Sequence, residues 1–285
     1  MKTNTLLAFF KHYLIGMLFL TSAYATDGVF EINHTCAVQL GCSSGDSLGY
    51  PISINDEGSY RLTSNLVIPD VSTRGIFIAQ SNVNIDLNGF SIIRSGCVNA
   101  SSNCTAVGNG MGITSLSTLA NVTVSNGSIV GMGGNGIGLI GVINTTVTKV
   151  NVHWNGGNGI ITGDYAHIVN NLVFQNSKKG IKTRHYSKVS GNNSSENGDE
   201  GIHAEDASII SSNITNSNGL GGIRAREMSS IKGNLMSNNT GSGLVLSSGS
   251  TSNYRDNTII NNVAGTVSGG FNMGNNFCNT NEVCP

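Results

Sequence analysis

With 285 residues the chain has room for one or two domains, but only 11% of it is charged and the formal net charge is −1. An average soluble domain carries about 25% charged residues, and so neutral a chain offers no electrostatic footprint for nucleic acid or an anionic membrane. Glycine is high at 38 and proline low at 3, yet β-branched Ile, Val and Thr recur at regular intervals, which argues against a disordered tract.

Residues 1–25 read as a secretory signal peptide. Lys2 gives a positive start, Lys11 and His12 precede an apolar run from Tyr13 to Leu20, and Ala23-Tyr24-Ala25 supplies a small-x-small cleavage pattern. The run is too short to span a bilayer comfortably, so the expectation is a secreted or periplasmic protein with no membrane span after cleavage. Six cysteines in an exported chain suggest disulfides. Many connectivities are open to them, and their spacing favours local pairing of Cys36 with Cys42, Cys97 with Cys104 and Cys278 with Cys284. No Cys-x-x-Cys occurs and no histidine sits at zinc spacing, so no metal site is expected.

Residues 26–74 read as an N-terminal cap with entering strands, Tyr60-Arg61-Leu62-Thr63 among them. Val83, Ile85 and Leu87 alternate with Asn82, Asn84, Asp86 and Asn88 as a half-buried strand. Across residues 75–267 a Gly-aliphatic pair recurs at Gly75-Ile76, Gly112-Ile113, Gly136-Ile137, Gly159-Ile160, Gly180-Ile181, Gly201-Ile202, Gly222-Ile223 and Gly243-Leu244. From Gly159 onward the interval is 21 residues.

Counting from each glycine aligns further columns. Ile160, Ile181, Ile202 and Ile223 stand one residue on, Thr162, Thr183, Ala204 and Ala225 three on, and Ile168, Val189, Ile210 and Ile231 nine on. Positions one and three share a strand face and point inward. A single unit cannot bury that face, whereas stacked units bury a continuous core. Two asparagine columns, Asn171 to Asn234 and Asn155 to Asn239, suit corner ladders of side-chain amides. The glycines are expected at corners whose backbone angles other residues avoid. Residues 268–285 break the pattern at Gly269-Gly270 and read as a C-terminal cap clipped by Cys278 and Cys284.

Neither the Leu-x-x-Leu-x-Leu framework of leucine-rich repeats nor the Gly-Gly-x-Gly-x-Asp run of calcium-binding nonapeptides is present. The expected fold is all-β: a single-stranded, right-handed parallel β-helix with ~21-residue coils, capped at both ends. No cofactor is expected; calcium is conceivable but has no motif.

Ile85-Asp86-Leu87-Asn88-Gly89-Phe90, Asn121-Val122-Thr123-Val124, Gly131-Met132-Gly133-Gly134-Asn135-Gly136-Ile137 and the ending Gly274-Asn275-Asn276-Phe277-Cys278 resemble bacterial right-handed parallel β-helix repeat proteins of the pectate-lyase-like superfamily. That resemblance implies the fold. For function it implies a range, from lyases, polygalacturonases and mannuronan epimerases to non-catalytic adhesins and tailspikes, among which fold does not choose. The Asn-x-Asp, Asp-Asp and Gly-His-Gly pattern of polygalacturonases is missing, and His153, His167, His185 and His203 are scattered across columns.

Function is best sought where the charges cluster. Thirteen of the Lys, Arg, Asp and Glu residues lie between Lys178 and Glu227. Lys182, His203 and Arg224 stack two positions after the glycine, Arg184, Glu205 and Arg226 four after, and Asp164, His185, Asp206 and Glu227 five after. Tyr165 and Tyr186 stack beside them and offer a platform for sugar rings. A lyase or epimerase of an acidic polysaccharide needs a base and cations that neutralise the uronate carboxylate. Lys182 or His203 would be the base, and Arg184, Arg224 or Arg226 the neutralisers. A hydrolase would instead use Glu205 or Asp206 with Glu227.

Alternatively, the alternating signs of Arg184, Glu205 and Arg226 make a solvated ladder on a non-catalytic, adhesin-like or glycan-binding solenoid. The minimal coils leave the face open to water, which weakens electrostatic catalysis and favours this second reading. Either way the expected partner is an acidic polysaccharide or cell-surface glycan, with no nucleic acid. Lys182 and Arg224 point outward and should be dispensable for folding, whereas a charge at Ile202 should not be tolerated.

Overall fold

The computed structural model describes residues 28–100, 104–115, 118–247, 251–279 and 284; the expected signal peptide at 1–25 lies outside them. Every strand pairing is parallel, and the strands fall into a 10-stranded sheet and a 19-stranded sheet that wrap one core. A representative coil has three short strands, Ile181–Thr183, Lys188–Ser190 and Asn193–Ser195. Each pairs with its counterpart 21 residues on, Ile181 with Ile202, Lys188 with Ile209 and Asn193 with Ile214. The result is a parallel β-solenoid of about ten turns, as its period requires.

Stacking begins within residues 26–74, where Ile52–Ile54 pairs with Ile76–Ile78. A helix over His34–Gln39, capped by Asn33, covers that end. It is the one α-helix among the described residues, none of which forms a helix long and apolar enough to cross a membrane. At the other end, Phe271–Asn272 and Phe277–Cys278 complete the last coil. Disulfides join Cys36 to Cys42, Cys97 to Cys104 and Cys278 to Cys284, the local pairing that the spacing favours.

The columns one, three and nine residues after the glycine are fully buried. A fourth inward column, Val152, Val173, Ser194, Thr215, Met236 and Ile259, is equally buried; its Ser and Thr disguise it in the sequence. Both asparagine columns form ladders. Asn155, Asn176, Asn197, Asn218 and Asn239 each donate from Nδ2 to the Oδ1 of the next, ending on Asn262, at 2.8–3.1 Å. The series from Asn171 to Asn276 does the same at 2.9–3.0 Å. A third ladder is built of serine: Ser187, Ser208, Ser229 and Ser252 accept with Oγ from the preceding coil's backbone N–H.

The repeating glycines have a different reason from the one expected. None of Gly159, Gly180, Gly201, Gly222 and Gly243 has a positive φ. A Cβ at Gly180 would overlap Ser194 Oγ and stand 2.6 Å from Asn197 Nδ2 and 2.7 Å from the Gly201 carbonyl oxygen. They are glycine for lack of space. The left-handed corners fall instead on residues such as Trp154, Tyr165, Gln175 and Tyr186.

Candidate functional site

On the 10-stranded sheet the middle residue of each strand points outward. In register these are Gly138, Ile161, Lys182, His203, Arg224 and Val245. The sheet thus carries apolar, then charged, then apolar positions, with the charges confined to three consecutive coils. Flanking them are the corner residues at positions four and five and the pairs that precede the glycines.

Almost every charge on this face meets an opposite one on a neighbouring coil. Lys179 Nζ lies 3.0 Å from Glu200 and 3.4 Å from Asp199. Arg224 Nε lies 2.9 Å from Glu200 Oε1, and Arg226 Nε 2.9 Å from Glu205 Oε2. Arg184 stands 3.5 Å from Asp164, and His185 Nδ1 3.4 Å from Asp206. His203 lies between two carboxylates, with Nδ1 3.9 Å from Glu200 and Nε2 3.6 Å from Glu205. Glu227 is exposed and makes no ion pair among the described residues.

Lys178 and Lys182 are the cations of this face without an ion pair among the described residues, and of the two it is Lys182 that lines a cavity. It stands between Ile161 and His203 in the column and has no carboxylate partner among the described residues. It opens onto a concavity of about 260 Å³ shared with Arg184, His185, Glu205 and Arg226 and floored by Ile140, Ile161 and Thr162. One wall leads to the tyrosines: the His185 ring lies 6.2 Å from Tyr186, which stacks on Tyr165 at 5.1 Å. Both tyrosines are more than half exposed, at 52% and 56%. Arg184 and Arg226 are already paired with Asp164 and Glu205, so Lys182 is the one charge of the lining left over.

The structure therefore brings Lys182, Arg184, His185, Glu205 and Arg226 around one concavity, with Tyr165 and Tyr186 at its edge. His203 and Arg224 stand further along the sheet, and Arg224 is held by Glu200 instead of projecting freely. Glu200 and Lys179 are the residues sequence reasoning underrated. Their signal was the succession of Lys178-Lys179 and Asp199-Glu200 just before two glycines, one coil apart.

The electrostatics follow from burial and pairing. Burial resists the charge on Glu200, but Lys179 and Arg224 outweigh it and hold the carboxyl below its ordinary range. Burial likewise resists the Lys179 charge, and Glu200 and Asp199 overcome it, raising that ammonium. For His203 burial dominates. Glu200 and Glu205 pull its pKa up, Lys179 and Lys182 push it down, and the imidazole ends below its ordinary value, neutral at neutral pH. No group of three or more His, Cys, Asp or Glu among the described residues is arranged to hold a metal ion.

The coil, its register and its core define a right-handed parallel β-helix. Residues 120–283 match the right handed beta helix region family, and the chain belongs to it. No curated protein sequence matches the chain. Among solved structures it is similar to the A-module of the Azotobacter vinelandii mannuronan C-5 epimerase AlgE4, with 15% identity and a TM-score of 0.50 over 74% of this chain and 72% of that one. It is also similar to the Dettilon tailspike protein gp208, with 15% identity and a TM-score of 0.58 over 87% of this chain but only 53% of the tailspike. At these identities the likeness shows the fold alone.

Proposed function

We propose that this is an exported solenoid that binds an acidic polysaccharide across the charged coils of its 10-stranded sheet. The observation that carries the reading is Lys182: a cation left without a carboxylate, facing a concavity beside an exposed tyrosine stack. A uronate carboxylate supplies the missing partner, and the tyrosine faces supply apolar area for the sugar ring. Three disulfides agree with an oxidising compartment. The test is affinity electrophoresis through gels containing polygalacturonate, alginate or neutral dextran. Retardation by an acidic polymer alone, weakened by salt and reduced about tenfold in affinity by Lys182→Ala, is expected; equal mobility in all gels would sink the reading.

One observation favours a catalytic variant, a lyase or epimerase on the same face. His203 is neutral, next to Lys182, and flanked by carboxylates that would stabilise its protonated form, as a general base requires. Ultraviolet absorbance of unsaturated uronate and proton NMR of the C5 configuration would detect the two activities. Loss of either signal in His203→Gln, with binding retained, would assign the base.

A further inference from the structure

Trp154 is the chain's single tryptophan, and the fold surrounds it with chemistry that the sequence scatters. It occupies a left-handed corner directly after the strand Ile143–His153. The His153 ring meets it edge-on at 4.7 Å and stacks on Phe174 of the next coil at 4.6 Å with an interplanar angle of 12°. Trp154 Nε1–H donates to Gln175 Oε1 at 2.7 Å, and Gln175 Nε2–H donates to Glu196 Oε2 at 2.7 Å. One coil further, the partner of Phe174 in register is Ser195. The aromatic column therefore stops at a small polar side chain, and Phe174, itself half-buried, is its last ring, a step at the end of the stack.

We infer that this step is a binding subsite for a pyranose ring of a neutral glycan, on a different sheet from the charged face. Coils repeat at about 4.8 Å, so the place above Phe174 that another ring would fill in the stack has the thickness of a sugar ring. The electron-rich face of Phe174 meets the C–H face of a pyranose, while Trp154 and His153 support it from behind. Ser195 donates its hydroxyl to Asn193, and Gln175 is bonded to Trp154 and Glu196; what they keep for sugar hydroxyls are the second amide hydrogen of Gln175, the oxygen lone pairs and the exposed Glu196 carboxylate.

Charge sets the class of ligand. The two columns that run through Val130, His153, Phe174 and Ser195 and through Trp154, Gln175, Glu196 and Ser217 hold no lysine or arginine. Burial keeps His153 below its ordinary imidazole value, and its buried Nδ1 has no hydrogen-bond partner. The one ionised group is Glu196, which repels a uronate and accepts from a hydroxyl.

Because the chain has one tryptophan, its emission reports this subsite alone. The full chain would be titrated with neutral hexasaccharides of β-1,4-linked glucose, mannose and xylose and α-1,4-linked glucose, with oligogalacturonate as the acidic control. A saturable shift of Trp154 emission with at least one neutral sugar is expected, unchanged by high salt or by Lys182→Ala. Gln175→Ala, which alters a partly exposed side chain, and Phe174→Leu, which keeps the apolar volume, should each weaken it about tenfold. No saturable shift with any of the four sugars, or a shift that both variants leave intact, overturns the proposal. Loss of the acidic-polymer binding proposed above would leave this signal untouched, so the two can fail separately.

Discussion

Glu200 Oε1 lies 2.9 Å from Arg224 Nε with only 7% of the glutamate side chain exposed, so a nearly buried carboxylate clamps one coil to the next. Lys179 reaches the same carboxylate from the coil before, at 3.0 Å. Arg224 is therefore not the freely projecting cation that its outward position suggests. Glu200→Ala should cost about 2–3 kcal/mol, since it leaves Lys179 only Asp199 for a partner and loses the clamp on Arg224. Arg224→Ala, whose side chain is 45% exposed, should cost about 1 kcal/mol. Lys182→Ala should stay within about 0.5 kcal/mol, while Ile202→Asp, at a fully buried position, should abolish the fold. Urea melts would rank the four, and a Lys182→Ala loss equal to that of Glu200→Ala would refute the assignment.

The same residues make stability depend on pH in two stages. The His203 pKa is lower folded than unfolded, so the unfolded chain takes up its proton first. Stability is then lost as pH falls below the ordinary imidazole value of about 6.5. The Glu200 pKa is also lowered by folding, and its contribution is intact above about pH 4.3 and lost as pH falls through the folded value. Urea midpoints measured from neutral to acid pH should fall in both windows. Glu200→Gln should remove the lower step and deepen the upper one, because it takes away a carboxylate that supports protonated His203. A pH profile of the midpoint that Glu200→Gln leaves unchanged would contradict this.

The asparagine ladders are predicted to be intolerant of a change of one atom. Asn218 accepts from Asn197 Nδ2 at 3.1 Å and donates to the Ser194 carbonyl at 3.0 Å and to Asn239 Oδ1 at 2.9 Å. Asn218→Asp keeps the shape but replaces two donors with an acceptor facing two oxygens. That buried, unmatched carboxylate should cost at least about 3 kcal/mol, and Asn218→Ala less. Circular dichroism melts showing Asp tolerated better than Ala would exclude the ladder as a source of stability.

Columns that keep one chemistry from coil to coil were legible in the sequence. Ile160 to Ile223 and the two asparagine series announced the inward face and the corners because each repeats a residue type at fixed spacing. What escaped were columns whose chemistry changes. Val173, Ser194, Thr215 and Met236 share one buried position yet follow no hydrophobic pattern. Pairing was hidden for a related reason: the contact of Glu200 with Arg224 spans 24 residues rather than the 21 of the repeat, so it joins different columns. The aromatic group of His153, Trp154 and Phe174 was equally invisible, since its members occupy two columns on two coils.

Polar side chains in two of the inward columns lead to a prediction of the opposite sign. Thr162 and Thr183 are fully buried, and the hydroxyl of each lacks a hydrogen-bond partner. An unmatched buried hydroxyl costs about 1–3 kcal/mol, and valine has nearly the same shape without it. Thr183→Val should therefore stabilise the chain by about 1 kcal/mol, and Thr162→Val similarly. Ser194 is the control, because its Oγ–H donates to the Gly201 carbonyl at 2.6 Å. Ser194→Ala removes a satisfied bond and leaves a small void where Gly180 approaches, so it should destabilise by about 1–2 kcal/mol. Thermal melts moving up for both threonine variants and down for the serine variant would separate matched from unmatched polar groups in the core. Movement of all three in one direction would mean that side-chain volume alone governs these coils.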